Sequence, residues 1–252
     1  MQPDAYILTE LKSWQHQMQK RPTLVDALSK SVQNRINAII PEKVHTAITT
    51  VIKKMVQGVL FGAQYTSPKP PPFNSFTELE AAVDRRIEFY KNAAAAEGGI
   101  TGAGGFLAAM ADFPLLLSLK LKLLFDIAAL YGYDVKDYKE RLYILHIFGI
   151  AFSSQKHRRA VYYQMEGWDD KKAGLPDNVA DFEWRSFQQE YRDYIDLAKL
   201  AQMIPGVGAV VGFVVNYRML KKLGLTAKNA YRMRLVQQLE KTEKATTPAG
   251  KH

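Results

Sequence analysis

Hydrophobic positions along this chain recur every three or four residues and seldom alternate, a spacing that predicts helices. Leu24, Leu28, Val32, Ile36 and Ile39 form one stripe. After Pro41, well placed for a first helical turn, Val44, Ile48, Val51, Met55 and Val59 form another. The first 64 residues thus read as two or three helices. Residues 65–75 (YTSPKPPPFNS) then carry four prolines in eleven positions. Each proline removes an amide donor and pushes its neighbour toward extended geometry, which makes the segment a stiff connector.

Beyond it, Ser75 and Glu78 have capping-box spacing, and Leu79, Val83, Ile87 and Tyr90 make one apolar stripe. That helix runs through Ala93–Ala96 into a glycine cluster at 98–105. The run 113–133 is the most hydrophobic in the chain. Its 117–123 stretch alternates, but 113–126 contains no Val, Ile or Thr and the run is too long for a strand, so a helix is expected. Asp112-x-Pro114 suits a helix start, which places a break at Pro114. Gly132 reads as a C-cap, and Asp137 opens a helix bearing Leu142, Leu145 and Phe148. Residues 153–180 are polar and read as a long loop with one short helix. Trp184, Phe187, Tyr191, Ile195 and Ala198 form a further stripe, followed by eighteen uncharged residues, 200–217. After Gly224, Tyr231, Leu235 and Leu239 mark a last helix. The expectation is an all-α, multi-helix globular bundle. Its parts are an N-terminal helical region at 1–64, a Pro-rich connector at 65–75, a helical domain at 76–246 and a disordered tail at 247–252.

Composition refines this picture. Of 252 residues, 47% are hydrophobic and 23% charged, an ordinary globular balance. With no cysteine, a disulfide scaffold, Cys-ligated zinc, Fe–S clusters and a cysteine nucleophile are excluded, and a reducing compartment fits. The opening MQPDAYILTELKSW has acids before any apolar run and no basic region, unlike a signal peptide, so a cytoplasmic location is expected. The net charge is +9; residues 218–252 hold nine Lys or Arg against two Glu, a net +7. Such a cluster directly after an apolar glycine-rich run suits an anionic cytoplasmic lipid surface, at about 1 kcal/mol per well-placed cation. The candidate contacts are Arg218, Lys221, Lys222, Lys228, Arg232 and Arg234; a merely solvated basic face is the plain alternative. No nucleic-acid motif accompanies the charge, and Tyr217 and Tyr231 make no stacking platform, so no nucleic acid is expected.

Catalytic signals are sparse. There is no G-x-S-x-G, no G-x-x-x-x-G-K-[ST] and no H-E-x-x-H. Gly206, Gly208 and Gly212 form a stretched relative of the dinucleotide fingerprint, without its preceding strand or its later acid. The five histidines, His16, His45, His146, His157 and His252, show no i,i+3 or i,i+4 pairing, so no metal site or cofactor is called for. Asp112 and Asp126 would lie some 21 Å apart along a straight helix, too far for an acid/base pair. A pairing of Asp126 with Lys122, and a core position for His146 among Leu142, Leu145 and Ile150, are the simpler readings. An enzyme with a pocket near Glu97, Asp112, Asp126 and His146 stays open, as does a soluble interaction module using Pro68–Pro72 as a ligand.

Glycines four apart, Gly98 and Gly102, then Gly208 and Gly212, flatten one face of a helix, and Ala94, Ala95, Ala103 and Ala209 extend that surface. In water this makes a tight core contact, in lipid a helix–helix seam. A permanent span is not expected. Lys120, Lys122 and Asp126 break the leucine-rich run, and the mean hydropathy is −0.20.

Two segments together resemble the EcsC family. One is 95–134, with Gly98, Gly99, Gly102, Gly104, Gly105, then Asp112 and Pro114, then Tyr131 and Gly132. The other is 204–234, with Pro205, Gly208, Gly212, Asn216, Tyr217 and Ala227. The motifs span about seventy residues and leave the N-terminal seventy outside, as a part particular to this chain. The family takes its name from a protein encoded beside the subunits of an ABC-type transporter linked to secretion and membrane proteolysis, and the resemblance brings no protease machinery with it. The function expected is a non-enzymatic accessory protein, peripheral at the cytoplasmic face of the membrane or on a membrane transport complex. Its contacts would be the basic C-terminal surface and the glycine-rich helices, and its partners an anionic lipid or that complex.

Overall fold

The computed structural model describes residues 2–21, 50, 56–59, 72–101, 105–153, 155–181, 183 and 212–246, leaving aside the side chains of 94–117, 155–156, 179, 212–216 and 246. The described elements are α1 (Ala5–Gln19), α2 (Phe76–Thr101), α3 (Gly105–Leu130), α4 (Tyr138–Phe152), α5 (Gln155–Met165), the single turn α6 (Trp168–Lys171) and α7 (Gly212–Thr246), with no strand among them.

Local chemistry sets the helix ends. The Ser75 hydroxyl accepts the Glu78 N–H at 3.0 Å, while the Glu78 carboxylate accepts the Asn74 N–H at 2.9 Å, a capping box displaced by one residue. At the end of α3, Gly132 takes φ +86°; its N–H bonds Ala129 O at 2.9 Å and the Tyr133 N–H bonds Ala128 O at 3.0 Å. This is the paired bonding of a Schellman turn, which only a residue without Cβ enters without strain. The Asp137 carboxylate accepts the Lys139 N–H at 2.8 Å and opens α4.

The predicted stripes of α2 and α4 are the core. Leu79, Val83, Ile87 and Tyr90 are buried, as are Leu142, Leu145 and Phe148. Each contributes roughly 1.5–3 kcal/mol relative to an exposed position. The longest helix, α7, lies against α2 and also touches α3, α4 and α1. The α2–α7 pair is antiparallel, as Lys91 over Tyr217, Ile87 at Gly224, Asp84 with Lys228 and Glu80 with Arg232 show. At their closest approach, a Cβ on Gly224 would meet Ile87 Cγ1 at 2.8 Å.

Three expectations are corrected. Helix α3 continues through Pro114, because the loss of one backbone bond is tolerated within a long run of strong helix formers on both sides. Helix α7 continues through Gly224, whose missing side chain serves packing and does not open the helix. The described residues of 153–180 form α5, α6, a 3-10 turn at Lys172–Gly174 and the start of another at Val179–Asp181, because Val161, Tyr162, Met165 and Trp168 supply a buried stripe within polar sequence.

Helix α1 joins the same core. Ile7 and Leu11 are buried, Trp14 meets the Tyr162 ring edge-on at 6.0 Å, and Thr77 donates to Asp4 at 2.5 Å. Val56 and Val59 are helical and buried. The Leu24–Ile39 stripe, positions 68–71 of the Pro68–Pro72 ligand segment, the 184–198 stripe and the tail 247–252 lie outside the described residues. So do Gly102, Gly104, Pro205 and Gly208. Gly98 and Gly99 are within α2, Gly105 opens α3 and Gly212 opens α7, while the faces those glycines pack against fall outside the description.

Candidate functional site

The six predicted lipid contacts separate into two groups along α7. Lys228, Arg232 and Arg234 are buried and ion-paired, and this corrects their assignment to a lipid-facing surface. Arg232 binds both oxygens of Glu80, Nε to Oε1 at 3.2 Å and Nη2 to Oε2, and its Nη1 reaches Glu10 at 3.1 Å and Asn229 at 3.2 Å. Lys228 bridges Glu80 at 2.9 Å and Asp84 at 2.7 Å. The Tyr131 hydroxyl, beside the predicted Gly132 cap, donates to Glu80 at 2.5 Å. Burial alone would raise the Glu80 pKa; hydrogen bonds from Arg232 and Tyr131 and the charges of Arg232 and Lys228 outweigh it and hold the carboxyl below its usual value.

Two residues on, Arg234 points to the opposite flank of α7. It is fully buried and donates to Glu140 from Nη1 at 2.5 Å and from Nη2 at 3.0 Å, and to Asp169 from Nε at 3.3 Å and from Nη2. Its guanidinium lies 3.8 Å from the Tyr133 ring centre and 4.5 Å from that of Tyr143. Lys172 adds contacts to Glu140 at 2.6 Å and Asp169 at 3.3 Å. Burial would raise Asp169 as well, but the bonds from Arg234 and Lys172 lower it.

The energies decide which role these cations can play. Stripping Arg234 from its partners leaves the buried Glu140 carboxylate short of its counter-charge, at about 3–5 kcal/mol. A lipid contact returns only about 1 kcal/mol per cation. Lys228, Arg232 and Arg234 therefore pin α7 to α1 and α2 on one side and to α4 and α6 on the other.

Arg218, Lys221 and Lys222 are exposed, and Leu225 continues them at i, i+3, i+4 and i+7, one face of the helix. Arg218 and Lys221 meet no acid among the described residues, and Lys222 Nζ sits 5.9 Å from the Phe152 ring centre.

Of the residues of the suggested pocket, Asp126 and His146 have separate surroundings. Asp126 accepts from Tyr90 at 2.9 Å and from Lys122, as the sequence predicted, and lies 3.6 Å from Arg86 Nε. His146 meets the Trp168 ring edge-on at 5.4 Å, and burial, with the charge of Lys171, depresses its pKa to about 4. Asp112 and Pro114 lie within α3, Glu97 within α2 and Asn216 within α7; their side chains are outside the description. Lys120 is buried, and burial lowers its pKa to about 8. Among the described residues no cluster of His, Cys, Asp or Glu fits a metal, and no helix is long and apolar enough to cross a membrane.

Sequence reasoning missed Glu80, Glu140 and Asp169, the acids that claim the basic residues of α7. The only local hint is spacing: Gly224, Lys228 and Arg232 continue one line of the helix, which is the line facing α2.

The family model of the EcsC protein family matches residues 5–236, so the N-terminal seventy residues belong to the family pattern as well. The chain is 40% identical over 239 residues to protein EcsC of Bacillus subtilis (strain 168), covering 94% of this chain and 98% of that protein. It is also 28% identical over 260 residues to the uncharacterized protein YdbA of the same organism, covering 94% of each. No solved structure matches. The chain belongs to the EcsC family.

Proposed function

We propose that this EcsC-family chain is a non-enzymatic accessory protein that associates peripherally with an anionic membrane surface, at the cytoplasmic face or beside a membrane transport complex. The observation that carries the reading is the exposed row Arg218, Lys221 and Lys222 on α7. The buried cations of the same helix are committed to acids, whereas this row is exposed at the surface, where it can meet a negative one. Three cations at about 1 kcal/mol each favour an anionic over a neutral surface by about 100-fold at low ionic strength. Salt shortens the reach of that field to about 8 Å at physiological ionic strength and less above it, so the association is reversible.

Flotation of the full chain with phosphatidylcholine vesicles, with and without phosphatidylglycerol and at low and high salt, tests the reading. Binding confined to the anionic vesicles and lost in high salt is expected. Equal recovery with neutral vesicles, or none with either, overturns it.

A further inference from the structure

We propose that the membrane-facing surface is the shared outer face of α2 and α7, with Phe89 and Leu225 as apolar anchors between the cations Arg85, Arg218, Lys221 and Lys222, and an anionic phospholipid bilayer as its partner. The inference rests on the membrane reading above and adds the orientation of the protein on the lipid.

The contact line between the two helices runs through residues 84, 87 and 91 of α2 and residues 217, 224 and 228 of α7. One step along either helix turns the side chain by about 100°. An antiparallel pair is related by a two-fold axis normal to its plane, so equal steps from the contact line emerge on the same side. Arg85, Glu88 and Asn92 follow the α2 contacts, Arg218 and Leu225 follow those of α7, and all five are exposed. The same register sets Phe89 level with Lys222, each two steps from the contact line and so at the outer edge of this face, and both are exposed.

This face combines features that seldom coincide on a solvated surface. Phe89 is 59% exposed and Leu225 41% exposed, among the few large apolar side chains left open. Both acids beside them are neutralised within the helix pair, Asp84 by Lys228 at 2.7 Å and Glu88 by Lys91 at 2.6 Å. Arg85, Arg218 and Lys221 have no acidic partner among the described residues, so the outward field is positive. Apolar anchors ringed by long cationic side chains match the bilayer interface, where the rings and methyls enter the acyl boundary and the cations stay with the headgroups.

The chain has no cysteine, so Phe89→Cys and Leu225→Cys each offer one thiol for an environment-sensitive fluorophore, and Tyr163→Cys, an exposed site on α5, serves as the control. With phosphatidylcholine vesicles containing phosphatidylglycerol, emission should rise several-fold at 89 and 225, be quenched by nitroxide-labelled lipid, and stay unchanged at 163. The unlabelled double variant F89S/L225S should keep its helical circular dichroism and lose about tenfold in vesicle partition. If the wild-type chain floats with these vesicles while probes at 89 and 225 stay water-like, the orientation is wrong and the membrane reading survives. If the wild-type chain does not float, the membrane reading falls and this inference with it.

Discussion

Replacing Arg234 with methionine, similar in length and uncharged, removes the charge that Glu140 and Asp169 share. Among the described residues Glu140, itself buried, would keep only Lys172 at 2.6 Å, and its bonds to Arg234 at 2.5 and 3.0 Å would be lost. Breaking a buried pair on one side costs about 3–5 kcal/mol. For a chain of this size each kcal/mol shifts the melting temperature by about 2–4 °C, so R234M should melt about 10 °C below wild type. Arg218→Met, at an exposed site on the same helix, should stay within about 0.5 kcal/mol of wild type, a shift of at most about 2 °C. The double variant E140M/R234M, which removes the stranded carboxylate as well, should regain at least half of the loss. Thermal melts followed by circular dichroism at neutral pH measure all three. If R234M melts within 2 °C of wild type, Arg234 is not a structural pin, and its exclusion from the lipid-facing set loses its basis.

Gly224→Ala should cost about 1–3 kcal/mol in urea melts, because its Cβ would meet the buried Ile87 at 2.8 Å, and it should cost less in an Ile87→Ala background, which lacks the contacting atoms; an unchanged urea midpoint refutes the close helix contact. Burial, with the charge of Lys171, holds the folded His146 pKa to about 4, against 6.5 for the free side chain. Between these values the unfolded chain takes up a proton that the folded chain refuses. Stability present above pH 6.5 is therefore lost on acidification toward pH 4, by at most about 1.4 kcal/mol per pH unit. Urea midpoints from pH 7 to 4 should show this fall in wild type and a flatter one in His146→Leu; parallel profiles would contradict a buried neutral histidine.

What the sequence made legible was local. The Ser75–Glu78 box, the Gly132 turn and the Asp137 cap are each written within a few residues, because helix ends are closed by neighbouring side chains and amides. The stripes Leu79–Tyr90 and Leu142–Phe148 also declared their buried faces through spacing alone. The basic residues of α7 could not be sorted this way. Arg232 meets an acid 152 positions earlier, and Arg234 one 94 positions earlier, so their burial depends on how distant helices assemble. Arg232 and Arg234 also lie about 200° apart around the helix, and both are covered because α7 is flanked on two sides. A reading that assumed one solvated basic face assigned all six cations to it. Pro114 and Gly224 failed as boundaries for a related reason: propensity gives way where long flanking runs or tight packing hold the helix together.

The most direct test compares charge reversals on two exposed surfaces. R218E/K221E/K222E alters the proposed face, and K12E/K20E alters α1 and the residue that follows it by a similar kind of change at exposed sites. In flotation with phosphatidylglycerol-containing vesicles at low salt, the first variant should be lost from the vesicle fraction with its helical content intact, while the second floats like wild type. Equal flotation of all three proteins would contradict the assignment of Arg218, Lys221 and Lys222 to the membrane contact.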